Sequence, residues 1–240
     1  DLLGELVCSN SLKGKNPDSA AGMLKGELDK LGSVLYRVAL DTEVAAGGAL
    51  AVDRELFAQR ITELICSHPL ISLERREASD LRAEAQGFDA LVVATGPLTS
   101  DSLAESLGKV TDLEHLAFFD AAAPIVMADS LDMDILFRQS RYEEGLGDYL
   151  NAPFNKEEYE RFIDELLAAE RVIKKDFETK DLFQACQPVE EVARAGRDAP
   201  RFGALKPVGL IDPRTQKRPW AAVQLRAEDA HGSCYNLVGF

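Results

Sequence analysis

The stretch FDALVVATGPLTS, Phe88 to Ser100, carries the clearest strand-to-helix signal in the chain. Its unbroken apolar run from Ala90 to Ala94 is the composition of a strand buried on both faces. The run ends at Thr95-Gly96-Pro97, and Ser100 or Asp101 can cap a following helix. In open α/β sheets, ligands sit at the carboxyl ends of the strands, and Gly96 allows a close backbone approach. Two readings of this turn stand: a ligand contact, or an ordinary strand-to-helix connection.

Working upstream, LISLERRE reads as a strand, with Ile71 and Leu73 alternating against polar neighbours. Before it, Asp53 can cap a helix running to about Ser67 whose buried face holds Phe57, Ile61, Leu64 and Ile65. Cys66, at its end, reads as a core or neutral thiol. Gly47 and Gly48 mark a tight turn. Leu24, Leu28, Leu31, Leu35 and Val38 recur at helical spacing and predict one apolar stripe. Gly22, Gly26 and Gly32 within it suggest a second backbone packed close against one face.

Downstream, LAFFDAAAPIVMADS reads as two short strands around Pro124. Asn155 caps a strong helix, with Glu158 completing a capping-box pattern and Tyr159, Phe162, Ile163, Leu166 and Leu167 on its core face. Pro188 followed by Glu190 and Glu191 starts another helix. KPVGLIDPRTQKRPWAAVQLR reads as a hairpin around Asp212 to Pro219, with Trp220, Ala222, Val223 and Leu225 in the return strand, and CYNLVGF as a last strand.

At 240 residues the chain is one large or two modest domains. No apolar run approaches the roughly 18 residues that span a bilayer, and no leader pattern is visible. Four scattered cysteines without a CxxC pair argue against a disulfide scaffold and a zinc site, and the three histidines stand apart, so no metal is expected. Reduced thiols fit a cytoplasmic protein. The net charge of −14, taken alone, disfavours nucleic acid as a partner.

Two thiols invite a functional reading. Cys186 stands just before the helix that starts near Pro188, where unpaired backbone N–H groups favour a thiolate, the form that attacks electrophiles. Glu190 and Glu191 oppose ionisation there, and a structural role stays open. Cys8, in LVCSNS, has small polar neighbours (Ser9, Asn10, Ser11) that can bond a ligand or simply a turn. Cys234 alternates with Tyr235 in a strand and reads as packed. The basic residues Arg194, Arg197, Arg201 and Lys206 are dense for so acidic a chain, and read either as a solvated face or as a phosphate patch.

The chain resembles the folate- and FAD-dependent tRNA uracil-5-methyltransferases. ELVCSNS, AGGALAVDR, VVATGPLTS, FFDAAAPIV, DYLNAPF, CQPVEEVARAGRD, RFGALKPVGL and YNLVGF carry the resemblance, in the family's order from one end of the chain to the other. It implies an α/β fold: residues 1–105 as part of a Rossmann-like FAD-binding domain, and residues 106–240 as an α+β insertion or substrate domain leading back toward it. It implies methylation of carbon 5 of a T-loop uridine in tRNA, with 5,10-methylenetetrahydrofolate as one-carbon donor, reduced FAD as reductant and methylene carrier, and NAD(P)H as source of reducing equivalents.

Carried over, the family's two functional thiols are Cys186, as uracil nucleophile, and Cys8, serving the flavin-methylene step. Ser9, Asn10, Gly47, Gly48, Thr95 and Gly96 are the expected cofactor contacts; Arg141, Arg194, Arg197, Arg201 and Lys206 the expected RNA contacts. The Gly-x-Gly-x-x-Gly turn that cradles a pyrophosphate is not in the sequence, and the chain is read as an internal piece of a longer protein. The alternatives are another FAD-dependent oxidoreductase of the superfamily, such as a relative of the wobble-uridine-modifying flavoprotein, and an inactive α/β binding domain.

Overall fold

The computed structural model describes residues 2–111, 123–141, 145–170 and 187–240. In chain order the elements are β1 (Ser11–Gly14), α1 (Ala20–Lys30), α2 (Val34–Asp41), β2 (Glu43–Val44), β3 (Ala49–Val52), α3 (Arg54–Ser67), α4 (Leu81–Glu84) and α5 (Asp101–Thr111). Then follow β4 (Ile125–Met127), β5 (Phe137–Arg138), β6 (Leu150–Phe154), α6 (Lys156–Ala168), α7 (Val189–Ala195), β7 (Ala221–Ala227) and β8 (Cys234–Leu237). The mixture of helix and sheet expected from the sequence is present. The chain forms two units: Asp1–His68 with Ala122–Ala169 and Pro188–Phe240, and Pro69–Ala121 with Glu170–Gln187.

The first unit holds two antiparallel sheets, one ordered β1-β3-β2 and one ordered β4-β8-β7-β6-β5. Asp53 caps α3 by accepting from the Leu56 N–H at 3.0 Å, and Phe57 and Ile61 then pack with Val38, Ala39, Leu50 and Val52 over the smaller sheet. Asn155 and Glu158 close a capping box on α6. That fixes the rotation of the helix, so Tyr159 and Ile163 are buried against β6 and β7 with Leu150, Val223 and Leu225. Each such fully buried side chain contributes about 1.5–3 kcal/mol relative to exposure. β7 is central, between β6 and β8, and buried on both faces; its polar residues are met from neighbouring strands, Gln224 donating to Asn151 Oδ1 at 3.0 Å.

Five sequence expectations are corrected here. The apolar stripe from Leu24 to Val38 is not one helix. Gly32, at φ +68°, ends α1: its N–H bonds Asp29 O and the next N–H bonds Leu28 O, after which Ser33 caps α2. The stripe is thereby split, and Leu24, Leu31 and Leu35 face outward. Of the three glycines, only Gly22 meets a close backbone, where a Cβ would lie 1.8 Å from Asn16 O. The segment around Ile71 and Leu73 and the run Ala90 to Ala94 form no strand. A strand needs a paired neighbour for its backbone groups, and the described part of the second unit offers none; Val92 is 84% exposed. The return strand after Pro219 pairs with β6 and β8 instead of folding back on residues 206–211, where only an isolated Asp212–Lys217 bridge forms. Of the strands expected around Pro124, β4 is present; residues 112–122 lie outside those described. In the second unit, Ser100 does cap α5, and the Leu81 N–H at the start of α4 donates to Ser106 on α5 at 3.0 Å.

The turn joining β7 to β8 is held by Asp229, which accepts from the amides of His231 at 2.7 Å and Ser233 at 3.1 Å. Burial pushes the Asp229 carboxyl up, but the Ser233 and His231 hydrogen bonds outweigh it and hold it at about 2, below its ordinary 3.8. The native state therefore binds fewer protons than the unfolded state between these values. This contribution is complete above the unfolded value and is lost as pH falls toward 2. Asp229→Ala is expected to cost on the order of 1 kcal/mol at neutral pH. In urea titrations the gap between variant and wild type should close between about pH 5 and pH 2; a gap constant with pH would contradict the assignment.

Candidate active site

Residues 6 to 10 run into β1, and their position is set by a polar network that no single stretch of sequence displays. Arg54, the first residue of α3, sends its guanidinium back to this loop. It donates to the carbonyl oxygens of Leu6 and of Cys8, the latter at 3.1 Å, and its Nε donates to Glu228 Oε2 at 2.6 Å. The Arg54 N–H also donates to the Glu228 carbonyl at 3.1 Å. The Cys8 backbone is thus gripped from beneath while the thiol itself is exposed. Two residues on, Asn10 is fully buried. Its Nδ2 donates to Val52 O of β3 and to Ala227 O of β7, both at 2.9 Å. Its Oδ1 accepts from Arg226 Nε at 2.7 Å.

Arg226 is 5% exposed, and among the described residues its guanidinium meets only neutral amide oxygens, those of Asn10 and, at 3.3 Å, Asn236. A buried cation held this way is costly to leave unpartnered. Glu228 and Asn236 each keep one buried polar atom, Oε1 and Nδ2, without a hydrogen-bond partner among the described residues. The arrangement presents an exposed thiol from a backbone whose carbonyl oxygens are held by Arg54. Sequence reading missed Arg54, Arg226, Glu228 and Asn236. The available signal was the polar alternation QLRAED, out of place in a strand otherwise small and apolar.

The other expected site residues are distributed as follows. Cys186 lies outside the described residues. Ser9 Oγ accepts from the Ser11 N–H at 3.4 Å. Gly47, at φ +55°, donates its N–H to Asp148 Oδ2 at 2.6 Å, and the Gly48 carbonyl accepts from the Lys15 N–H at 2.8 Å. In the second unit Gly96, at φ +70°, has no atom within 4 Å of where a Cβ would stand, and the Thr95 and Thr99 hydroxyls bond each other at 2.6 Å.

Among the expected RNA contacts, Arg194 and Arg197 tie α7 and the turn after it to α6. Arg194 donates to Leu167 O at 3.3 Å, and Arg197 pairs with Asp164 at 2.7 Å. Arg141 donates to the Lys206 carbonyl at 2.6 Å. The Arg201 guanidinium carbon stands over the Trp220 ring, 3.6 Å from its centroid. Cys66 is exposed, a correction to its expected packing: it falls five residues past Ile61, beyond the buried stripe of α3. Burial pushes the Cys234 thiol up, which favours its protonated form. Among the described residues no group of three or more His, Cys, Asp or Glu can hold a metal, and no helix is long and apolar enough to cross a membrane.

Compared with known proteins, the chain matches over residues 1–240 the family described as glucose inhibited division protein A. It is 57% identical over 239 residues to the methylenetetrahydrofolate–tRNA-(uracil-5-)-methyltransferase TrmFO of Geobacter sulfurreducens, covering 99% of this chain and 54% of that protein. Proteins of the same name from Desulfotalea psychrophila and a Synechococcus species are 52% and 53% identical, each covering 100% of this chain and 53% and 52% of their own lengths. The chain spans about half the length of the curated relatives it matches.

Proposed function

This chain belongs to the glucose inhibited division protein A family, and from that premise we propose that it bears the two thiols of an enzyme that methylates carbon 5 of a T-loop uridine in tRNA. The one-carbon donor is 5,10-methylenetetrahydrofolate. The observation that carries the reading is Cys8, an exposed thiol on a loop whose carbonyls are clamped by Arg54. The chemistry requires such groups. Carbon 5 of uracil is a weak nucleophile. A thiolate that adds to carbon 6 pushes the electron pair onto the ring as an enolate, and carbon 5 then attacks the electrophilic one-carbon unit. Loss of the carbon 5 proton and departure of the thiolate restore the ring. Cys186 takes the uracil role and Cys8 the role beside the flavin.

When bound, FAD supplies the redox step, with NAD(P)H as its source of electrons. Two of the expected cofactor contacts in the first unit suit a flavin. Gly48 leaves open space where a side chain would stand and Ser9 offers a hydroxyl group, while Thr95 and Gly96 belong to the second unit and are expected contacts on their own account. Asn10 serves by holding the loop, since its own polar atoms face the protein interior. The pyrophosphate cradle is not among these residues. A cytoplasmic setting, where tRNA and folate coexist, belongs to the same reading.

The test is direct. The protein at its natural length is incubated with FAD, NADH, labelled methylenetetrahydrofolate and an unmodified tRNA transcript, and the digested nucleosides are analysed. Labelled 5-methyluridine is expected. NADH oxidation without 5-methyluridine would replace this reading with a flavin oxidoreductase.

A further inference from the structure

One cleft of the first unit runs against the charge of the rest of the chain. Residues 153–158, where β6 meets α6, form part of its wall, and residues between Arg201 and Trp220 form the remainder, around about 770 Å³. Lys156, Arg201, Lys206, Arg214, Lys217 and Arg218 line it against two carboxylates, in a chain of net charge −14. Both carboxylates are already engaged. Glu158 accepts from the Asn155 N–H at 2.8 Å, and Asp212 is gripped by Arg214 at 3.0 and 3.2 Å. Among the described residues, no carboxylate lies within ion-pair distance of Lys206, Lys217 or Arg218. Like charges gathered on one wall repel, and an anionic ligand relieves that repulsion.

Aromatic surface accompanies the charge. Arg201 stacks on Trp220 at 3.6 Å, Lys156 stands 5.7 Å from the same ring, and Phe202 is 81% exposed. The turn that presents Lys217 is pinned by the Asp212–Lys217 bridge, with Gln216 at φ +57°. Cations interleaved with an open aromatic face are what a nucleic-acid strand requires: charge for phosphates and a flat surface for a base. An acidic peptide matches the charge, but the carboxylate side chains that supply it carry no flat ring to stack on Phe202.

We propose that this cleft is a docking site for a stretch of RNA strand, with Lys206, Lys217 and Arg218 on phosphates and Phe202 against a base. It rests on the tRNA reading above and adds Lys217, Arg218 and Phe202 to the expected RNA contacts.

The test uses the natural-length protein, a fluorescein-labelled unmodified tRNA transcript and anisotropy titrations over a series of salt concentrations. Lys217→Ala/Arg218→Ala is expected to weaken tRNA binding at least about tenfold and to lower the slope of log K against log salt by roughly 1.5, the release expected for two lost phosphate contacts. Phe202→Ala is expected to weaken binding about fivefold or more with the slope unchanged. All three side chains are exposed, so melting temperatures should match wild type. Unchanged affinity and slope in both variants, in a protein that binds and methylates tRNA, overturn the cleft alone. If the double variant loses poly-L-glutamate binding as strongly as tRNA binding while Phe202→Ala changes nothing, the cleft takes an acidic peptide instead. A wild type that neither binds tRNA nor forms 5-methyluridine overturns the function proposed above, and the RNA occupant with it.

Discussion

Cys8→Ala is expected to lower 5-methyluridine formation on the order of 10³-fold or more, in line with the loss of a reacting group, while leaving the melting temperature nearly unchanged. The two expectations have separate causes. The thiol is exposed, so truncating it removes little packing, and such surface changes stay within about 0.5 kcal/mol. Arg54 grips the carbonyl oxygens of residues 6 and 8 and not the side chain, so the loop keeps its path in the variant. Cys186→Ala is expected to be as severe, with a different signature. If Cys186 adds to uracil, its alanine variant loses the covalent adduct with tRNA, while Cys8→Ala retains it. Denaturing gels with labelled tRNA read that difference. Full activity in either variant removes that cysteine from the mechanism.

The second large effect concerns stability. Asn10→Ala strips the hydrogen-bond donor from Val52 O and Ala227 O and the acceptor from Arg226 Nε, all at a fully buried position. Leaving a buried guanidinium short of a partner costs about 3–5 kcal/mol, which for a chain of this size lowers the melting temperature by roughly 10 °C. Calorimetry checks it. Adding Arg226→Met should recover part of the loss, because the cation to be satisfied is then gone. A loss under about 1 kcal/mol for Asn10→Ala would mean that water fills the gap.

What could be read from the sequence was whatever is decided within a few residues. Asp53 before α3, Asn155 with Glu158 before α6, and Ser100 before α5 each act on a backbone group two to four positions away. Their signals are local, and so is their effect. Gly32-Ser33 was equally local, a helix stop followed by a helix start, but the regular leucine spacing across it reads as one stripe. The run Ala90 to Ala94 shows the opposite limit: apolar composition expresses readiness to pair and cannot supply the neighbour. The grip on Cys8 was the least legible, because it joins residues 8 and 10 to 54, 226 and 228, and spacing within a sequence says nothing about partners so far apart.

That separation also orders events during synthesis. Asn10 is joined to Ala227 across 217 positions. At about 5–20 residues per second, the ribosome delivers the second partner roughly 10–40 s after the first. Cys8 is therefore made well before the residues that secure its loop, which is among the last parts of the first unit to be fixed. Until β7 and β8 have emerged, Arg54 lacks Glu228 and Asn10 lacks Arg226. A nascent chain carries the thiol without the geometry that would put it to use, and that geometry arrives only when the sheet behind it closes.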